Sequence, residues 1–86
     1  MPEYRITVAV SAAREFESLP LGIQARVRAV VDALADAPRP RGTVKLRGGT
    51  DLFRLRVGDY RIIYRVFDRD RLVDIVHIRH RREAYE

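Results

Sequence analysis

The stretch from Leu52 to Val66, LFRLRVGDYRIIYRV, constrains the fold more tightly than any other part of the chain. Two runs rich in β-branched and aromatic residues flank Gly58-Asp59, a pair suited to a tight turn, so the stretch predicts a β-hairpin. With Val57 paired to Tyr60 across a two-residue loop, Arg56 faces Arg61, Leu55 faces Ile62, Arg54 faces Ile63 and Phe53 faces Tyr64. Cross-strand partners share a face and side chains alternate along each strand. One face then carries Phe53, Leu55, Val57, Tyr60, Ile62 and Tyr64, which is a core. The other carries Arg54, Arg56, Arg61 and Arg65.

Stability alone does not call for that second face. Like charges set opposite each other in a sheet cost roughly 0.2–1 kcal/mol per pair. A single strand arginine needs no special reason, since its aliphatic stem lies along the sheet while the guanidinium stays in water. Four on one face of one hairpin point instead to a polyanion, because the planar guanidinium fork binds phosphate oxygens in pairs.

The charge distribution agrees. The net charge is +5, but residues 1–38 hold four arginines against five acids, whereas residues 39–86 hold thirteen basic residues against seven acids. The basic character belongs to the half that contains the hairpin, as expected of a local electrostatic footprint. Eighty-six residues with 47% apolar content predict one domain, 1–86, with a modest core. There is no cysteine, which excludes a disulfide framework and thiolate chemistry. The N-terminus leads straight into a strand pattern without a signal-like segment, and no apolar run reaches membrane-spanning length. A soluble, cytoplasmic protein without membrane contacts is the expectation.

Taken in order, Tyr4, Ile6, Val8 and Val10 alternate with Arg5, Thr7 and Ala9, the pattern of a half-buried strand. Ser11 is the expected cap of a short helix bearing Ala12, Phe16 and Leu19, and Pro20 separates it from the next. There Ile23, Val27, Val30 and Leu34 form an apolar stripe, with Val31 beside it, that predicts a core-facing helix. Pro38-Arg39-Pro40-Arg41-Gly42 ends that helix and opens an irregular basic connection to about Gly49. Its Lys45-Leu46-Arg47-Gly48-Gly49 lacks the context and ending of a phosphate-binding P-loop, so a nucleotide site is rejected.

After the hairpin, Asp68-Arg69-Asp70-Arg71 is a polar turn into a third run, Leu72 to His80. Pairing Phe67 with Leu72 sets Arg65 opposite Asp74, Tyr64 opposite Ile75 and Arg61 opposite Ile78. In that register Arg65 is structural, His77 is a partly buried structural histidine on the core side and His80 lies on the arginine face. No paired carboxylates, Ser-His-Asp arrangement or metal-ligand spacing is present, so no metal or other cofactor is expected.

The combination of Lys45-Leu46-Arg47-Gly48, Asp51 to Arg56, Gly58-Asp59-Tyr60-Arg61-Ile62-Ile63-Tyr64 and His77 to Tyr85 resembles the RelE/ParE toxin superfamily, its RelE branch in particular. The resemblance spans essentially the whole chain. It implies a toxin of a type II toxin–antitoxin module that acts as a ribosome-dependent mRNA endoribonuclease. In such enzymes the 2′-hydroxyl of a codon nucleotide in the ribosomal A site attacks its own 3′-phosphate. The implied partners are the ribosome, mRNA and a cognate RelB-like antitoxin with an acidic segment, through which the toxin–antitoxin complex binds operator DNA. The ParE branch shares the scaffold and poisons DNA gyrase without nuclease chemistry, which is the alternative.

By position, the resemblance assigns Arg61, Arg81 and Tyr85 to catalysis, and His80 joins them because some members of the superfamily use a histidine near the C-terminus. Arg54, Arg56, Lys45, Arg47 and Arg82 are the expected RNA and phosphate contacts. Arg54 and Arg56 stand where the best-known members carry lysines, and an arginine does not lose its proton in a protein. Neither can be the general base, so proton transfer falls to His80 or Tyr85. The expected fold is α+β: an N-terminal strand, a two-helix hairpin and a three-stranded antiparallel meander. Both helices pack on one sheet face and the opposite face is basic.

Overall fold

The structure, a computed structural model, describes residues 3–47, 51–80 and 82. Seven elements follow in order: β1 (Arg5–Val8), α1 (Val10–Glu17), α2 (Leu21–Ala33), β2 (Val44–Lys45), β3 (Leu52–Val57), β4 (Tyr60–Phe67) and β5 (Leu72–His80). The five strands form one sheet in the order β1-β5-β4-β3-β2, with β1 parallel to β5 and the other pairs antiparallel. The expected strand, helical hairpin and meander are all present. Among the described residues no helix is long and apolar enough to cross a membrane.

The hairpin register is the one the sequence predicts, from Phe53–Tyr64 to Val57–Tyr60. Gly58 takes φ +59°, a conformation that costs a residue with a Cβ and that glycine adopts freely. The Arg26 guanidinium of α2 lies 3.3 Å from where a Cβ at Gly58 would be, so the turn is also closed over from the helix side.

Core formation follows the alternation. Phe53, Leu55, Val57, Ile62, Tyr64 and Val66 are buried together with Val73, Ile75 and Ile78 of β5. Ala12 and Leu19 from the α1 side and Val27 and Leu34 from the α2 side close the cluster, with Ile23, Val30 and Val31 packed at its margin. Tyr64 is fully buried, yet its hydroxyl donates to the Pro38 carbonyl at 2.8 Å and meets Thr43 Oγ1 at 3.3 Å. A buried phenol needs such partners, and here they tie the chain after α2 to the centre of the sheet. Arg39 joins that tie by pairing with Asp68 in two contacts while its guanidinium sits 5.2 Å from the Phe53 ring centroid.

Four expectations change. The connection 39–49 is not wholly irregular, because Val44 and Lys45 pair with Arg54 and Phe53 as an edge strand. Ser11 is not a helix cap: α1 starts at Val10 after Ala9, and the Ser11 hydroxyl donates to the Val76 carbonyl at 2.9 Å. Arg65 stands opposite Asp74 as expected, but the Asp74 carboxylate accepts from Thr7 Oγ1 at 2.8 Å and Arg65 is exposed. The largest change concerns β5. Its register with β4 holds from Phe67–Leu72 to Tyr64–Ile75 and then shifts, so that Ile63 meets His77 and Val76 is left over as a β-bulge. Beyond the bulge Arg61 faces Arg79 rather than Ile78, and Tyr60 faces His80.

Candidate functional site: an arginine row across three strands

The bulge assembles the site. With Arg56 opposite Arg61 on one side and Arg79 opposite Arg61 on the other, three arginines from β3, β4 and β5 form one lateral row. Paired residues in neighbouring strands hold their Cβ atoms roughly 4.5–5.5 Å apart, so the three side chains leave the sheet as one group. Arg54, half-buried, stands in the next row opposite Ile63.

Arg61, at the middle of the row, is only 8% exposed. Its place on the face opposite the core does not leave it in water. The cross-strand pairing with Arg56 and Arg79 concentrates positive charge around it. The outer two members are held from outside the row. Arg56 Nε donates to the Gly58 carbonyl at 3.0 Å, and Arg79 Nε donates to Glu15 Oε2 at 2.9 Å. Arg61 Nη1 lies 3.5 Å from the Tyr60 carbonyl.

Glu15 belongs to α1 and occupies a gap in the sheet. β1 ends at Val8 opposite Ile75, which leaves the last residues of β5 without a strand partner on that side. The start of α1 follows that edge instead: Ala9 N–H bonds to the Ile75 carbonyl, Ser11 to the Val76 carbonyl, and Glu15 Oε1 accepts the Ile78 N–H at 3.0 Å. The same carboxylate meets His77 Nδ1 at 3.2 Å. Burial alone would push the Glu15 carboxyl up, but the Ile78 N–H, the Arg79 guanidinium and the His77 ring together hold it below its ordinary range. His77 is partly buried as the sequence predicts, but not on the core side: beyond the bulge it pairs with Ile63, on the same sheet face as Arg61.

The remaining predicted residues are scattered. His80 is not on the arginine face. The bulge sets it beside Tyr60 on the other side, ring against ring in an edge-to-face contact with centroids 5.3 Å apart. Its Nδ1 lies 3.4 Å from the Arg82 N–H, and the Arg82 residue itself is exposed. Lys45 is exposed on β2, and its pairing with Phe53 places it on the side away from Arg54. Arg47 is exposed in the turn that follows. Arg81 and Tyr85 lie outside the described residues, as does the chain after Arg82. Arg79 is the residue that sequence reasoning missed, because a register without the bulge turns it away from Arg61. Among the described residues no group of three or more His, Cys, Asp or Glu is placed to hold a metal ion.

A sheet carrying an arginine row, with a helical hairpin on its other face, is a small α+β scaffold suited to a polyanion, and comparison with known proteins specifies its class. Residues 6–85 match the family described as the ParE toxin of the type II toxin–antitoxin system parDE, and the chain belongs to that family. Toxin RelE of Mycobacterium tuberculosis is 32% identical over 83 residues, 95% of this chain and 86% of the relative. Among solved structures, the archaeal RelE–RelB complex from Pyrococcus horikoshii OT3 contains a chain 33% identical with a TM-score of 0.84, covering 95% of this chain and 99% of that one. The toxin–antitoxin complex RelBE2 from Mycobacterium tuberculosis contains one 28% identical with a TM-score of 0.79, covering 93% and 99%. The chain is therefore a toxin of a type II toxin–antitoxin module, of the RelE-like kind.

Proposed function

We propose that this toxin is a ribosome-dependent mRNA endoribonuclease, and that the row Arg56–Arg61–Arg79 receives the scissile phosphate. The observation that carries the reading is Arg61, buried at the middle of a cross-strand row of three arginines. When a 2′-hydroxyl attacks the adjacent phosphorus, the bond from phosphorus to the next nucleotide's 5′-oxygen breaks, that oxygen takes up a proton to leave as a 5′-hydroxyl, and negative charge grows on the equatorial oxygens on the way. Preorganised cations at that point lower the barrier without a metal, and removal of one such group typically costs about 10²–10³-fold in rate. Arg54 in the next row, with exposed Arg47 and Arg82, extends the basic surface along which the RNA backbone runs in this reading, and Lys45, on the opposite sheet face, drops out of it. Proton transfer needs a separate group. His80 faces the Tyr60 side of β5, so in this reading Tyr85 accepts the 2′-hydroxyl proton and Arg81 adds a further cation, while His80 braces Tyr60.

The gyrase-poison alternative is not favoured: the family model carries the ParE name, but the relatives of 28–33% identity are RelE toxins. The experiment that tests the choice is induction of the toxin in cells, with mRNA 5′ ends mapped and gyrase supercoiling assayed in parallel. The reading expects new 5′ ends within translated codons and unaffected supercoiling. Intact messages with inhibited gyrase would overturn it.

The same reading supplies a partner. The neighbours that are RelE–RelB complexes support a RelB-like antitoxin as the partner chain. A cleft of about 680 Å³ between α1, α2 and β1 is lined by Val8, Phe16, Val31 and Ile75, with Val10 exposed at the start of α1. It offers an apolar seat for one part of such a chain, while acidic side chains of another part meet the arginine face.

A further inference from the structure

We propose that Glu15 is a positioning residue: from the β1-side edge of β5 its carboxylate holds the Arg79 guanidinium, and so sets where the third member of the phosphate-binding row stands relative to Arg61. The inference rests on the nuclease reading above and adds a residue from α1 to it.

Arg79 has reason to be elsewhere. It faces Arg61 in the sheet and so stands beside a like charge, while its long stem gives the head freedom to swing into solvent. Glu15 opposes both tendencies. Its Oε2 takes the Nε–H of Arg79 at 2.9 Å, and its Oε1 is fixed by the Ile78 N–H at 3.0 Å and the His77 ring at 3.2 Å. The carboxylate is anchored to the β5 backbone one residue from the side chain it holds, with little play between them. The grip is through Nε alone, which leaves both Nη groups of Arg79 available to a phosphate. Both side chains are about one-third exposed or less, so water competes weakly for the contact.

Glu15 also has a plain structural task, since it caps the Ile78 N–H at the edge that β1 does not reach. The two roles separate in Glu15→Gln. The amide oxygen still accepts from Ile78, but the charge is gone and the amide nitrogen, itself a donor, cannot hold Arg79. Single-turnover cleavage on programmed ribosomes is the first readout, after a thermal melt confirms that each variant is folded. A cation displaced from its reacting position costs up to about 10²-fold, so Glu15→Gln should slow the cleavage step about tenfold or more while KM changes little. Arg79→Ala should be slower still, and Glu15→Gln added to Arg79→Ala should cause no further loss. A Glu15→Gln enzyme as fast as the wild type would overturn the proposal, leaving only the edge cap. So would an equal loss in the presence and absence of Arg79.

The second readout does not need activity. The Arg79 Nε–H should exchange slowly with solvent in the wild type and rapidly in Glu15→Gln. If the wild type fails to cleave mRNA, the nuclease reading is lost, yet protection of that proton still reports whether Glu15 holds Arg79. Equal, rapid exchange in both proteins would refute the positioning itself.

Discussion

Arg61 is the residue on which the site turns, and its burial changes what its removal should do. Truncating a side chain that stands in water costs little, but at 8% exposure the stem packs against its neighbours and its loss is felt. Arg61→Ala should therefore abolish toxicity, with cleavage reduced about 10²–10³-fold, and also destabilise the fold within the ~0.5–3 kcal/mol usual for such changes. Growth on induction and a thermal melt measure the two effects separately. A stable mutant that still arrests growth would remove Arg61 from the site. Glu15 supplies a prediction in pH. Its carboxyl is held below the ordinary 4.5 in the folded chain, so the folded state favours the ionised form. That contribution is complete above the ordinary glutamate range and disappears as pH falls through the depressed folded-state value. The stability gap between wild type and Glu15→Gln should be widest near neutrality and close on acidification. A gap that widens in acid would contradict the assignment of the three partners.

The elements were largely legible in the sequence, because their signals are local. Alternation and a Gly-Asp turn give β3 and β4 in register, and the stripe from Ile23 to Leu34 gives α2. What was not legible depends on contacts far apart in the chain. Val76 looks like any other strand residue, and nothing near it announces a bulge. Its neighbour across the edge is Ser11, sixty-five positions away, whose hydroxyl takes its carbonyl. One displaced residue reverses every side chain beyond it, which is why His80 was expected beside Arg61 and Arg79 was overlooked. Strand β2 escaped for a simpler reason: two residues between prolines and glycines carry no periodicity. The Tyr64 tie tests how the chain before β2 is held. Its hydroxyl joins Pro38 and Thr43 to the sheet, and burial raises its pKa, so it stays a neutral donor. Tyr64→Phe keeps the ring in the core and should cost about 0.5–1.5 kcal/mol for the lost hydrogen bond, read as a lower denaturation midpoint. An unchanged midpoint would show that the tie carries no stability.

At the scale of the whole molecule, opposite faces have opposite tasks. One sheet face is spent on the core and the helical hairpin, and the other concentrates the basic half of the chain. A RelB-like partner that spans both should combine apolar burial on α1 and α2 with ion pairing at the arginine face. Its affinity for this toxin should fall as salt rises, since screening weakens only the second contribution. Titrations at several salt concentrations check this, and a flat series would exclude the electrostatic part. The central claim is that the arginine row cleaves RNA on the ribosome. The most direct measurement is incubation of purified toxin with ribosomes carrying a defined mRNA and an empty A site, followed by analysis of the RNA ends. The account predicts a single cut in the A-site codon that leaves a cyclic phosphate and a 5′-hydroxyl, made by the wild type and lost in Arg61→Ala. An uncut message, or a cut that Arg61→Ala makes equally fast, would contradict it.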